Sequence, residues 1–235
     1  MTFAILDETG GLVQLASGET AQVLELLDGQ RGACVAVNAP RRPNLGLVRS
    51  QLLKTVSSSS HLRGADLRVV EHELRGRGIL VSPTPARVDL CPEWMQVGFT
   101  LFQHMQDLGF LGEPGGSSQG CCLETHPHLT FHVLLGQAPL PKPSLEGRLQ
   151  RQLALFEKQL GIQDPMDFFE EITRHKLLKG ELPLGYLYTP EELDALSAAY
   201  IALLAMQDVN QIALIGDSLE GRIAYPAEAS QESSS

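Results

Sequence analysis

Cys121-Cys122-Leu123-Glu124-Thr125-His126-Pro127-His128 is the stretch of this chain best suited to chemistry. An apolar run ends in a carboxylate, and Pro127 follows where a helix can begin. Proline fits the first helical position because its missing N–H costs nothing there and its φ is already helical. Glu124 is therefore expected at the carboxyl end of a buried strand, where open α/β sheets hold their ligands. His126, His128 and His132 accompany it, and imidazoles suit zinc. However, Pro127 breaks the strand register, and His128 and His132 are spaced i, i+4 on a helix that must bury one face. His132 reads as a packing residue, while His126 stays open as a residue lining the site.

The elements that must position these groups follow from patterning. Met1 to Leu6, then Asp7 to Gly11, then Leu12 to Ala16 reads as a β-hairpin with a glycine-bearing turn in which Asp7 is a turn residue. Glu19 to Leu27 has helical spacing, and Cys34 to Val37 is a short apolar run expected as a buried strand ending at Asn38. Pro43 to Ser60 reads as irregular and closes in four serines. Asp66 to Arg75 and Trp94 to Gly109 carry helical periods, with Trp94 expected in the core and Gly112 to Gly120 as a connector. After the stiff Pro139 to Pro143 linker, Leu145 to Leu160 predicts a helix with Leu149, Leu153, Phe156 and Leu160 inward, and Phe168 to Leu177 could form another. Thr189-Pro190-Glu191-Glu192 is a helix start with a threonine cap, proline at the first position and glutamate at the third. Ile212 to Ile215 and Arg222 to Tyr225 predict a terminal strand pair.

The chain has 235 residues with 43% hydrophobic and 20% charged, enough for one large core. A single domain over residues 1–226 is expected, with a helical insertion around 43–118 and a disordered tail over 227–235. The net charge of −10 argues against a broad basic surface gripping nucleic acid, though not against a nuclease whose carboxylates hold cations. The four cysteines lack CxxC spacing, and Cys121 and Cys122 read as small buried hydrophobes. No apolar run approaches the length that spans a bilayer, so no membrane contact and a cytoplasmic location are expected.

Several short motifs occur in one order: Asn38-Ala39-Pro40, Arg68 to Gly78, Trp94 with Gly98, and Glu124-Thr125-His126-Pro127. Lys142 with Gly147, Arg148 and Arg151, then Asp194 in its alanine-rich helix, and Glu220-Gly221-Arg222-Ile223 with Pro226 complete the series. Together they resemble the uncharacterised family of predicted ribonuclease-H-like nucleases over nearly the whole chain. The resemblance implies an α/β fold: a ribonuclease-H-like mixed sheet with a β-hairpin edge, helices on both faces, and acidic residues converging on Mg²⁺ or Mn²⁺. Such ions prefer oxygen ligands, and a pair of them can clamp the attacking and leaving oxygens of a phosphodiester.

Carried over by position, Glu124 and Asp194 match acidic positions of the family, while Asn38 stands where an aspartate is usual. That fold also places a first strand with an aspartate between the hairpin and the strand ending at Asn38. Met1 opens directly into the hairpin, so either the start is placed too far downstream, the favoured expectation, or part of the site has been lost.

The expected activity is a divalent-metal-dependent nuclease hydrolysing phosphodiester bonds, with metal-activated water as nucleophile. Glu124 and Asp194 would hold metal, and Asn38 would be a neutral ligand. Arg41, Arg68, Glu71, His126, Lys142 and Arg148 would meet the substrate, although Arg68 and Glu71 could equally be a helix ion pair. The alternative is a catalytically degenerate ribonuclease-H-like protein that binds nucleotide or nucleic acid.

Overall fold

A computed structural model describes residues 1–30, 32–55, 64–110 and 120–227. The serines at 57–60, the connector at 112–119 and the tail from 228 lie outside the described residues.

The hairpin forms as its turn chemistry predicts. Strand β1 (Thr2–Leu6) pairs antiparallel with β2 (Leu12–Ser17). Asp7 Oδ1 accepts from the amides of Thr9 and Gly11 and from the Thr9 hydroxyl, which holds the Asp7 carboxyl below its usual range. Gly10 takes φ +87°, a left-handed conformation that glycine adopts without a Cβ penalty.

A second, mixed sheet contains β3 (Cys34–Val37), β4 (Cys121–Thr125), β5 (Ile212–Asp217) and β6 (Gly221–Pro226) in the order β3-β4-β6-β5. β3, β4 and β6 run parallel, and β5 closes the sheet antiparallel to β6. The α/β class holds, with one refinement. The hairpin is a separate two-stranded sheet, and β1 and β3 share no ladder. Both instead pack on the long helix α8 (Pro190–Gln207). That helix starts as read, with Thr189 and Glu192 forming a reciprocal capping box and Pro190 at the first position.

Helices cover both faces of the mixed sheet. Leu123, Ala224 and Ile212 join one apolar cluster with Leu196, Ile201 and Leu204 of α8 and Leu155 of α6 (Leu145–Phe156). On the other face, Cys122 meets Leu101, Phe102 and Met105 of α4 (Glu93–Asp107), with Val23, Leu24 and Leu27 of α1 (Thr20–Asp28) beside them. Ile215 and Ile223 there meet Val70 and Leu74 of α3 (Val69–Gly76) and Leu129 of α5 (Pro127–Leu135). This alternation of neighbours along β4 fixes which side each of its residues serves.

Four expectations require correction. Residues 47–55, read as irregular, form helix α2 (Leu47–Thr55). Its start is fastened from far away in sequence, because Glu220 Oε1 accepts from the amides of Leu45 and Leu47. On α6 the inward face is Gly147, Arg151, Gln152, Ala154 and Leu155, leaving Leu153 exposed. The cause is polar: the Gln152 amide donates to the carbonyls of Gln163 and Tyr186 and accepts from the Tyr188 amide, which turns the helix.

Trp94 is 49% exposed instead of lying in the core. Finally, Cys121 is no isolated apolar filler. It is disulfide-bonded to Cys34, which sits directly opposite it in the β3–β4 register, while Cys122 is a buried thiol. Helix α7 (Asp167–Leu178) completes the set of described α-helices.

Candidate functional site

The carboxyl ends of β3 and β4 meet at a cleft of about 220 Å³, with Asn38, Arg68, Thr84, Trp94, Glu124 and His126 in its lining. Val37 pairs with Glu124 across the strands, so Asn38 leaves the sheet at this end. Cys122 faces the α4 cluster and Leu123 the α8 cluster. Alternation then turns Glu124 to the same face as Cys122, towards α3 and α4.

There Glu124 is almost wholly buried and held by a fork. Arg68 Nη2 donates to Oε1 at 2.5 Å and Nη1 to Oε2 at 3.0 Å. The backbone amide of Arg41 adds a third donor to Oε2 at 3.0 Å. Arg68 is the N-cap residue of α3, and its Nε pairs with Glu71 Oε1 at 2.9 Å. Glu71 in turn accepts from the amide and hydroxyl of Thr84. Burial works against the Arg68 charge, but Glu124 and then Glu71 outweigh it and raise its pKa, so the guanidinium stays charged.

Gly221, at φ +110°, is required beside this knot. A Cβ there would sit 2.8 Å from Glu124 Oε2 and 3.3 Å from Arg68 Nη1. Glu220 locks the periphery by accepting from the Val69 amide as well as from the 45–47 segment.

Asp194 belongs to the opposite side, on α8. Its Oδ2 accepts from Lys142 Nζ at 2.7 Å and lies 3.5 Å from Asn38 Nδ2. Burial pushes the Asp194 carboxyl up, against the pull of Lys142. The nearby Arg151 is shifted down by burial, against Asp194, and lies 5.4 Å from the Phe131 ring centre. His126 caps α5, with Nδ1 accepting from the Leu129 amide. Burial, assisted by His128, lowers its pKa to about 4, so the ring is neutral near pH 7 and Nε2 carries its proton.

The structure thus gathers Glu124, Arg68, Glu71, Asn38 and His126 around one cleft, with Arg41 behind Glu124. Lys142 and Asp194 form a second pair reached through Asn38. Arg148 is used elsewhere: its guanidinium donates to the carbonyls of Leu187 and Tyr188, tying α6 to the approach of α8. Glu124 and Asp194 each pair with a cationic side chain of their own, Arg68 and Lys142.

That arrangement does not fit a divalent metal centre. Both Glu124 oxygens are occupied by donors, Asp194 Oδ2 is taken by Lys142, and an asparagine supplies no charge. Among the described residues, no group of three or more His, Cys, Asp or Glu is placed to hold a metal ion.

The sequence reading missed three contributors. Thr84 and Glu220 act only through folding contacts, and the one hint of Glu220 was its place in the ordered motif set. Trp94 could have been found from its position, since it lies in the first turn of a helix that opens at the sheet end.

Among the described residues, no helix is long and apolar enough to cross a membrane. Comparison with curated proteins and with solved structures gives no match. A family model does match, described as a protein of unknown function (DUF429), and it covers residues 9–214. Since that span is most of the 235 residues, the chain belongs to the DUF429 family.

Proposed function

We propose that this protein binds a nucleotide or a nucleic acid at the cleft between β3, β4 and α4, with one base against Trp94. The observation that carries this reading is the half-exposed indole of Trp94, set among hydrogen-bonding groups of Asn38, Ser82 and His126 at the carboxyl edge of parallel strands. Aromatic faces accept any base by stacking, at about 1–3 kcal/mol each. Neutral His126 and Asn38 offer donors and acceptors without the charge repulsion that a bare carboxylate would bring. The cleft volume of about 220 Å³ lies below the roughly 300–1,000 Å³ of whole-ligand pockets, which favours one base or phosphate group inside and the remainder outside. The test is titration with mononucleotides and short RNA and DNA oligomers, read by tryptophan fluorescence. Unchanged emission and no heat of binding with any of them would refute the reading.

A second reading, metal-dependent phosphodiester hydrolysis in the ribonuclease-H-like manner, keeps one observation in its favour. Asn38 lines the Glu124 cleft and lies 3.5 Å from Asp194, so three groups of the expected set meet around one sheet end. It requires Arg68 to release Glu124 when a cation arrives. Calorimetry with Mn²⁺ and cleavage assays in Mg²⁺ or Mn²⁺ separate the readings: tight Mn²⁺ binding with cleavage supports hydrolysis, and oligomer binding without either supports the first.

A further inference from the structure

We propose that the Cys34–Cys121 disulfide is a reversible redox brace that holds the end strand of the mixed sheet and, through it, the loop carrying Asn38 and Arg41. The inference does not depend on what the cleft binds.

β3 is only four residues long and, among the described residues, has a single neighbour in the sheet, β4. Such an edge strand is weakly held by backbone bonds alone. The disulfide joins the first paired position of the two strands, Cys34 opposite Cys121, and the last paired position is Val37 opposite Glu124. One covalent bond therefore fixes register at one end of a ladder whose other end presents Asn38, Arg41 and Glu124. It also closes a loop of 87 residues in sequence that contains α2, α3 and α4. Cross-links over long loops remove much freedom from the opened chain.

Both bonded cysteines are only partly buried, packed at the margin of the α8 cluster. Cys122 is 3% exposed and turned to the other face, with its sulfur 3.6 Å from Arg41 Nη2. It is not positioned to resolve the bond, so exchange requires an external thiol. A thiolate attacks one sulfur and forms a mixed disulfide while the other cysteine leaves as a thiolate and takes a proton. A second external thiol then releases the protein, giving two cysteine thiols and one oxidised dithiol or small-molecule disulfide. Where thiols are abundant the bond opens, and where they are scarce it persists.

The experiment uses the full chain in glutathione buffers of stepped ratio. Alkylation under denaturing conditions counts thiols by mass, and hydrogen exchange reads the amides of residues 34–41. In oxidised buffer two thiols, Cys91 and Cys122, are expected to label, and four after reduction. Reduction is expected to speed exchange over 34–41 at least tenfold and to leave α8 within twofold. The double variant Cys34→Ser/Cys121→Val should show the fast exchange in both buffers, and Cys91→Ser should behave as the natural chain. Four free thiols in oxidised buffer, unchanged exchange on reduction, or global loss of protection including α8 would each overturn the proposal. If the double variant does not fold, the natural chain with and without reductant still gives the decisive comparison.

Discussion

Arg68 and Glu124 grip each other through two parallel hydrogen bonds, with side chains 3% and 2% exposed and positions 56 apart in sequence. This pair joins the start of α3 to the end of β4, and the Arg41 amide and the Gly221 backbone close around it. A carboxylate expected to hold a metal is thus held by a guanidinium.

Because both partners are buried, removing one strands the other. Glu124→Leu should cost about 3–5 kcal/mol in urea unfolding, the range for breaking a buried pair. Combining it with Arg68→Met should cost clearly less than the two single losses added together. Strict additivity would show that the pair is not coupled.

Gly221→Ala should destabilise the fold by about 1–3 kcal/mol, since it adds a Cβ against Glu124 at a positive φ. The expected signature is a lowered midpoint with an unchanged denaturant slope. A midpoint equal to that of the natural chain would mean the knot can yield.

Acid should weaken the protein through His126. Its folded pKa lies near 4, against an ordinary value of 6.5. The neutral ring is favoured by folding, so the contribution is complete above about pH 6.5 and is lost as pH falls towards 4. The slope reaches up to about 1.4 kcal/mol per pH unit. His126→Asn keeps a side-chain acceptor for the Leu129 amide and should flatten that limb of the stability profile.

Asp194 acts with the opposite sign. Its raised pKa means that burial disfavours the ionised form, so this group adds stability at low pH and loses it as pH rises through the folded pKa. Lys142→Met removes the side-chain donor that draws the pKa down most, and should move the Asp194 titration further up, as read by carboxyl carbon chemical shifts. An unchanged titration would place Lys142 elsewhere in solution.

Trp94 is the only tryptophan in the chain, so intrinsic emission reports the cleft alone. Base binding should quench it, and Trp94→Leu should weaken oligomer binding by roughly tenfold, in keeping with the loss of one stacked base.

Much of the scaffold was legible in local chemistry. The Asp7 turn, the apolar run of β3, Pro127 opening α5 and the Thr189 capping box each carry their own signal within a few residues, and each element stands where that signal placed it. What escaped was set by partners distant in sequence. α2 has a weak apolar pattern and depends on Glu220, some 170 residues on. Leu153 looked inward by spacing, yet Gln152 and Arg151 claim the buried face through bonds that no periodicity encodes.

The site divides in the same way. Glu124 at a strand end was readable, and so was the Arg68–Glu71 helix pair, whereas the neutralisation of Glu124 by Arg68 joins two elements distant in sequence and left no local signal. The Cys34–Cys121 bond depends on strand register, which a single sequence does not reveal.

The hairpin and the four-stranded sheet lean on one helix without sharing a ladder. α8 therefore works as a keel beneath two separate decks, and its opening turns carry Asp194. Leu6 and Leu15 of the hairpin pack into the same cluster as Leu196 and Ile201 of that keel, so one rod seats the upper deck and carries the Asp194–Lys142 pair.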